Sequence, residues 1–190
     1  LLLGAALLVW RIASTGLSAH YAQSSEDGAG AAVKALAWND RNPDALYRRA
    51  LELRGEDPSA AAALLARASG ENPAAAPPLV ALAGLAREQG DDARAQSLLE
   101  KAVELAPADP WVQRQSADYW VGRGDLEQAL GHWSAALETD PGSRPRLFPT
   151  LMRLAEDPRT RPAFKPYAAS PPSWWEAFFA EVAAEASEVE

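Results

Sequence analysis

No cysteine occurs in these 190 residues, methionine occurs once and histidine twice. The missing thiols exclude disulfides, thiolate nucleophiles and cysteine-bound metals, while leaving the compartment open. Basic residues are also scarce: 18 Lys and Arg stand against 26 Asp and Glu, a net charge of −8. A chain so acidic has no broad cationic face with which to displace counterions from nucleic acid. There is no glycine-rich phosphate loop, no G-x-S-x-G and no H-E-x-x-H. His20 lies beside an apolar segment and His132 on a helix, in unrelated contexts. The paired carboxylates Asp91-Asp92 and Glu26-Asp27 fall at a helix start and in a polar stretch, where a helix end or water satisfies them. The expectation is a chain with no catalytic residue, no cofactor and no metal.

What is present is a periodicity. Pro73, Pro107 and Pro141 are 34 residues apart, as are Ala61, Ala95 and Ala129, and Ala68, Ala102 and Ala136. Leu65, Leu99 and Trp133 keep the same interval, and Gly90 and Gly124 mark one turn in two copies. Within the second copy, Leu79, Leu82 and Ala86 share one helical face. Gly90-Asp91 interrupts that helix. Ala95, Leu98, Leu99, Ala102 and Leu105 make the face of a second helix, and Pro107 ends it because proline cannot continue the backbone ladder. Alanines at the recurrent positions allow two antiparallel helices to approach closely. One such pair cannot bury its apolar face alone, so about three stacked copies are needed.

The segment 42–143 therefore resembles a tetratricopeptide repeat array, of the membrane-anchored type found in bacterial envelopes. The resemblance implies an all-α solenoid of helical hairpins, here with an N-terminal hydrophobic helix and C-terminal capping helices. The repeats are expected at 42–75, 76–109 and 110–143. Trp133 and Trp120 then take packing positions. In this family the first helix of each pair lines a concave groove that receives protein segments. Carried over, the groove positions are Leu46, Ala50 and Leu53, then Val80, Gly84 and Arg87, then Trp111, Arg114, Asp118 and Val121. The Lys and Asn set that clamps a peptide's terminal carboxylate in some members is absent. An apolar helix or extended segment of a partner, anchored by Trp111 with Arg114 at the rim, fits these residues better. The alternative is that they contact only neighbouring helices or water.

On either side of the repeats the sequence changes character. Residues 1–22 open with the apolar run LLLGAALLVW. They are expected to be a membrane anchor truncated at its start, since the run is shorter than the roughly 20 residues of a span and no methionine begins it. A signal-peptide core and a buried soluble helix are the competing readings. No Lys or Arg occurs between Arg11 and Lys34, which points to a single pass with the following domain on the periplasmic side of the inner membrane. Residues 23–41 are expected to be a polar linker and a leading cap helix, with Trp38 packed beneath the first repeat. After Ser143 the sequence period is lost. Residues 144–190 are read as a helical cap, with Leu147, Leu151 and Leu154 striping one helix and a Ser173/Glu176 capping box starting another. The aromatics Trp174, Trp175, Phe178 and Phe179 then form a terminal cap or an interface with a partner subunit, and the Ala/Glu-rich ending suggests that the chain continues.

Together these features predict a non-catalytic membrane-anchored scaffold subunit that binds another protein of an envelope complex, with polysaccharide or envelope assembly preferred. Similar bacterial proteins also serve translocon quality control, pilus assembly and cytochrome maturation. The alternatives are a soluble periplasmic binding or chaperone module, and an accessory subunit of a large energy-converting or transport complex.

Overall fold

Helices form wherever the 34-residue pattern places them. A computed structural model describes residues 2–23 and 30–188, all of whose regular structure is helical. Leu1, Val189, Glu190 and the polar stretch 24–29, within the expected linker, lie outside the described residues. The chain divides into two compact units, Leu1–Leu105 and Ala106–Glu190.

The first unit holds α1 (Leu2–Gln23), α2 (Ala31–Trp38), α3 (Pro43–Leu53), α4 (Pro58–Glu71), α5 (Pro77–Glu88) and α6 (Asp92–Leu105). Its helix starts follow from local chemistry. The Asn42 side chain accepts the Asp44 and Ala45 N–H groups, the Asp57 carboxylate accepts the Ala60 N–H, and a proline follows each cap where no donor is needed. Between α5 and α6, Gly90 takes φ +77°. That left-handed residue returns the Asp91 N–H to the Ala86 carbonyl at 2.9 Å, closing the helix end. The first hairpin turns differently: the Asp57 N–H reaches the Leu53 carbonyl at 2.8 Å, and Gly55 is not among the glycines with positive φ. Ala61, Ala68, Ala95 and Ala102 have no accessible surface, and Leu65 and Leu99 are buried between them.

α1 departs from the expected anchor-then-linker order. Its second half is the first helix of a leading hairpin with α2. The Ser18 hydroxyl donates to the Ala35 carbonyl at 2.8 Å and accepts from Asn42 Nδ2 at 2.8 Å, all within the buried interior. Tyr21 and Ala22 pack with Ala35, Leu36 and Ala45, and the Arg48 guanidinium donates to the Ala22 carbonyl. Among the described residues no helix is long and apolar enough to cross a membrane. Trp38, expected beneath the first repeat, is an exposed residue of α2. It meets Trp10 at 5.9 Å between ring centroids, with 39% and 62% of the two residues exposed.

The second unit holds α7 (Pro110–Gly122), α8 (Leu126–Thr139), α9 (Arg144–Glu156), α10 (Lys165–Ala169) and α11 (Trp175–Glu188). Gly124, at φ +75°, repeats the Gly90 turn, and the Asp125 N–H returns to the Trp120 carbonyl at 3.0 Å. The sequence period fades after Ser143, yet the structural one does not: α7 starts at 110 and α9 at 144, again 34 residues apart (144−110 = 34). α9 thus takes the place of a fourth first helix, carrying Pro149 within it. Its partner helix is reduced to a 3-10 turn at Arg161–Phe164 and the short α10. Pro162 and Pro166 remove donors there. The expected Ser173/Glu176 capping box is replaced, because both the Ser173 N–H and hydroxyl donate to the Glu138 carboxylate at 2.8 Å. The core of this unit gathers Trp133, Leu137, Phe148, Leu151, Phe164, Trp174 and Phe178.

Candidate functional site

The ten groove positions expected from the repeat pattern behave differently in the two units. In the first, Leu46 and Ala50 have no accessible surface and Val80 is 7% exposed. Ala50 is buried in one cluster with Ala61 and Leu65 of α4 and Ala81, Leu82 and Leu85 of α5. Leu53 and Gly84 are half-buried and Arg87 is exposed. The Arg54 guanidinium lies over Gly84, where a Cβ would stand 2.8 Å from Nη2, and its charge pairs with Glu88. The first unit therefore offers little open apolar surface along this line.

In the second unit the corresponding positions stay open. Trp111, Arg114, Asp118 and Val121 from α7, with Gln115, form one wall of a furrow of about 490 Å³. Arg146, Leu147 and Thr150 of α9 form the other, and Trp133 of α8 also lines it. Along this line Arg114 stands where the first unit has Leu46 and Val80, and Asp118 where it has Ala50 and Gly84. The furrow extends at both ends. Towards the α8–α9 turn it shares Arg114 and Arg146 with a space of about 440 Å³ lined also by Asp140, Gly142, Ser143 and Pro145. In the other direction it shares Val121, Trp133 and Thr150 with an apolar hollow of about 260 Å³ completed by Gly124, Leu126, Leu154 and Thr160.

Polar contacts hold the turn end in place. Arg114 Nη1 donates to Ser143 Oγ at 3.1 Å, and that hydroxyl donates to Asp140 Oδ2 at 2.7 Å. Asp140 Oδ1 accepts the Gly142 N–H at 3.0 Å. The α9 contributors Arg146, Thr150 and Leu154 were missed as groove residues because the chain after Ser143 was read as a cap. The 34-residue spacing of the helix starts, extended by one more helix, would have found them.

His132, on the neighbouring helix, plays a structural part. Its Nδ1 lies 2.7 Å from Gln113 Oε1, while Gln113 Nε2 donates to the Pro107 carbonyl at 2.7 Å. With the amide so oriented, Nδ1 carries the hydrogen and donates. Burial lowers the His132 pKa from its ordinary value of 6.5. The unfolded chain therefore takes up this proton first as pH falls. The resulting stability is complete above the unfolded value and is lost as pH drops through the folded one. Urea midpoints measured from about pH 8 to about pH 5 should decline across that window, and His132→Gln should flatten the decline. An unchanged slope would show that other groups carry it. Among the described residues no group of three or more His, Asp or Glu converges as for a metal ion.

The four C-terminal aromatics separate by burial. Trp174 and Phe178 are 1% and 2% exposed, Trp175 is half-buried, and Phe179 is 54% exposed. The indole N–H of Trp174 donates to Ser134 Oγ at 3.0 Å.

No protein-family model matches this chain, and no curated protein matches it significantly. Solved structures do. The chain is similar to pilF of Pseudomonas aeruginosa, from a study described as its functional characterization, at 21% identity and TM-score 0.57 over 90% of this chain and 82% of that one. It is similar to a crystal structure of MamA at 19% identity and TM-score 0.52, over 71% of this chain and 81% of that one. A second MamA structure aligns at 18% identity and TM-score 0.50, over 72% and 75%. Both of these proteins are built from tetratricopeptide repeats, and the fold of this chain is the tetratricopeptide-repeat fold.

Proposed function

We propose that this chain is a non-catalytic scaffold that holds a segment of another protein in the furrow of its second unit. The observation that carries this reading is the α7–α9 furrow, where an aromatic side chain, aliphatic side chains and arginines line one open concavity. Such a mixture suits an anchored protein segment. The same reading takes the chain to be a subunit of a bacterial envelope complex, attached to the inner membrane through the run Leu1–Trp10, with its repeats in the periplasm. Polysaccharide or envelope assembly is the preferred setting. Support for the membrane part comes from the apolar run and from the lack of Lys and Arg between Arg11 and Lys34. Because α1 continues without a break into the Ser18 contacts, such an anchor would hold the first unit directly and not on a tether.

A photo-cross-linking side chain at Val121, compared with one at exposed Arg94 on α6, tests the furrow in native membranes. Adducts to one defined partner at Val121, absent at Arg94 and lost with Trp111→Ala, are the expected result. Adducts that ignore the furrow would overturn it. Release of the chain by carbonate washing would remove the anchor from the proposal and leave the furrow untouched.

A further inference from the structure

Two arginines line the α8–α9 end of the furrow in a chain whose net charge is −8. They are Arg114 of α7 and Arg146 of α9, and Arg144 is the first residue of α9. Among the described residues the one hydrogen-bond partner of the Arg114 guanidinium is a neutral hydroxyl, at 3.1 Å. Arg146 has no hydrogen bond or ion pair among the described residues, and Arg144 Nε is buried without a hydrogen-bond partner. The nearby carboxylate of Asp140 is already bound to the Gly142 N–H and the Ser143 hydroxyl. A cationic end without carboxylate partners is therefore joined to an apolar hollow floored by Trp133 and walled by Val121, Leu126 and Leu154.

From this geometry we infer that the occupant of the furrow is an amphipathic helix of a partner protein, carrying carboxylates at one end and a large aliphatic or aromatic side chain two turns away. The inference rests on the furrow reading above and adds the chemistry of the ligand. Charge complementarity selects the carboxylates. Spacing selects the helix: Arg114 and Val121 are seven residues apart on α7, which is about 10 Å along the axis. A helix presents its residues i and i+7 on one face at that same separation. An extended strand reaches about 10 Å in three residues, but alternation then turns the two side chains to opposite faces.

The test uses the full chain and fluorescence anisotropy with a labelled, side-chain-stapled helix of about 16 residues, the staple offsetting the marginal stability of so short a helix. The probe carries two glutamates and, seven residues on, a leucine. Control probes replace the glutamates with lysine, or move the leucine by two positions. The glutamate probe should bind at least about tenfold more tightly than either control, and more weakly as salt is raised. Arg114→Gln/Arg146→Gln should abolish that preference with an unchanged far-UV circular dichroism spectrum, and Arg114→Glu/Arg146→Glu should reverse it. Equal binding of the glutamate and lysine probes, displaced by Trp111→Ala, would overturn the acidic chemistry while leaving the furrow as a docking site. No binding by any probe, together with no Val121 adducts in membranes, would overturn both.

Discussion

Replacing Trp174 with alanine should cost the second unit about 3–5 kcal/mol, the range for removing a large aromatic side chain from a core. The residue is 1% exposed. Its ring stands 6.3 Å from Phe148, 5.9 Å from Phe178 and 6.0 Å from Tyr167 between centroids. The substitution would leave a cavity bounded by aromatic rings from several elements, which no single neighbour can fill. It would also strip Ser134 of its indole donor. Trp174→Phe should cost less, because most ring contacts remain and the lost hydrogen bond is worth about 1 kcal/mol. Phe179→Ala, at a residue 54% exposed, should stay within about 0.5 kcal/mol of the parent chain. Urea denaturation followed by circular dichroism ranks the three. If Trp174→Ala proved as mild as Phe179→Ala, α11 would not be packed on α8 and α9 as described.

The second large effect is expected at Asn42. Its side chain does two things at once: Oδ1 caps α3 by accepting the Asp44 and Ala45 N–H groups, and Nδ2 donates to the buried Ser18 hydroxyl. Alanine removes a cap worth about 1 kcal/mol. It also leaves polar atoms unpaired in the interior, a further cost of about 1–3 kcal/mol. The loss should therefore total about 2–4 kcal/mol and fall on the leading hairpin. Asn42→Asp separates the two contributions, because it keeps the cap but replaces the amide donor with a carboxylate. Ser18→Ala combined with Asn42→Ala should cost less than the sum of the single changes, since neither then strands the other. Equilibrium denaturation of the four variants measures this. Strict additivity would show that the Ser18–Asn42 contact contributes nothing to docking α1.

Much of this architecture was legible in short-range chemistry. Prolines after Asn42, Asp57 and Asp109 start helices, and glycines at 90 and 124 turn them, because each acts on backbone atoms within a few residues. The alanine positions were readable for a related reason, since helical spacing alone places Ala61 with Leu65 and Ala68 on one face, and all three are buried. Ser173 shows the limit. It has a capping-box sequence, but a carboxylate 35 residues away takes its hydroxyl and its N–H. Trp38 shows it again, because its neighbour is Trp10 on a helix whose start had been assigned to a separate anchor.

Helix positions, their hairpin pairing and the repeat length thus follow from local rules, because hydrogen bonding, capping and the 3.6-residue period act over a few residues. Which groove positions remain open is a property of the distance between helices that are neighbours in space. Leu46 and Ala50 are buried in the first unit, whereas Trp111, Arg114, Asp118 and Val121 line a furrow together with residues of an α9 whose helical role the faded repeat concealed. That distance is set by the combined volume of side chains from separate helices, so it emerges only when the chain is packed.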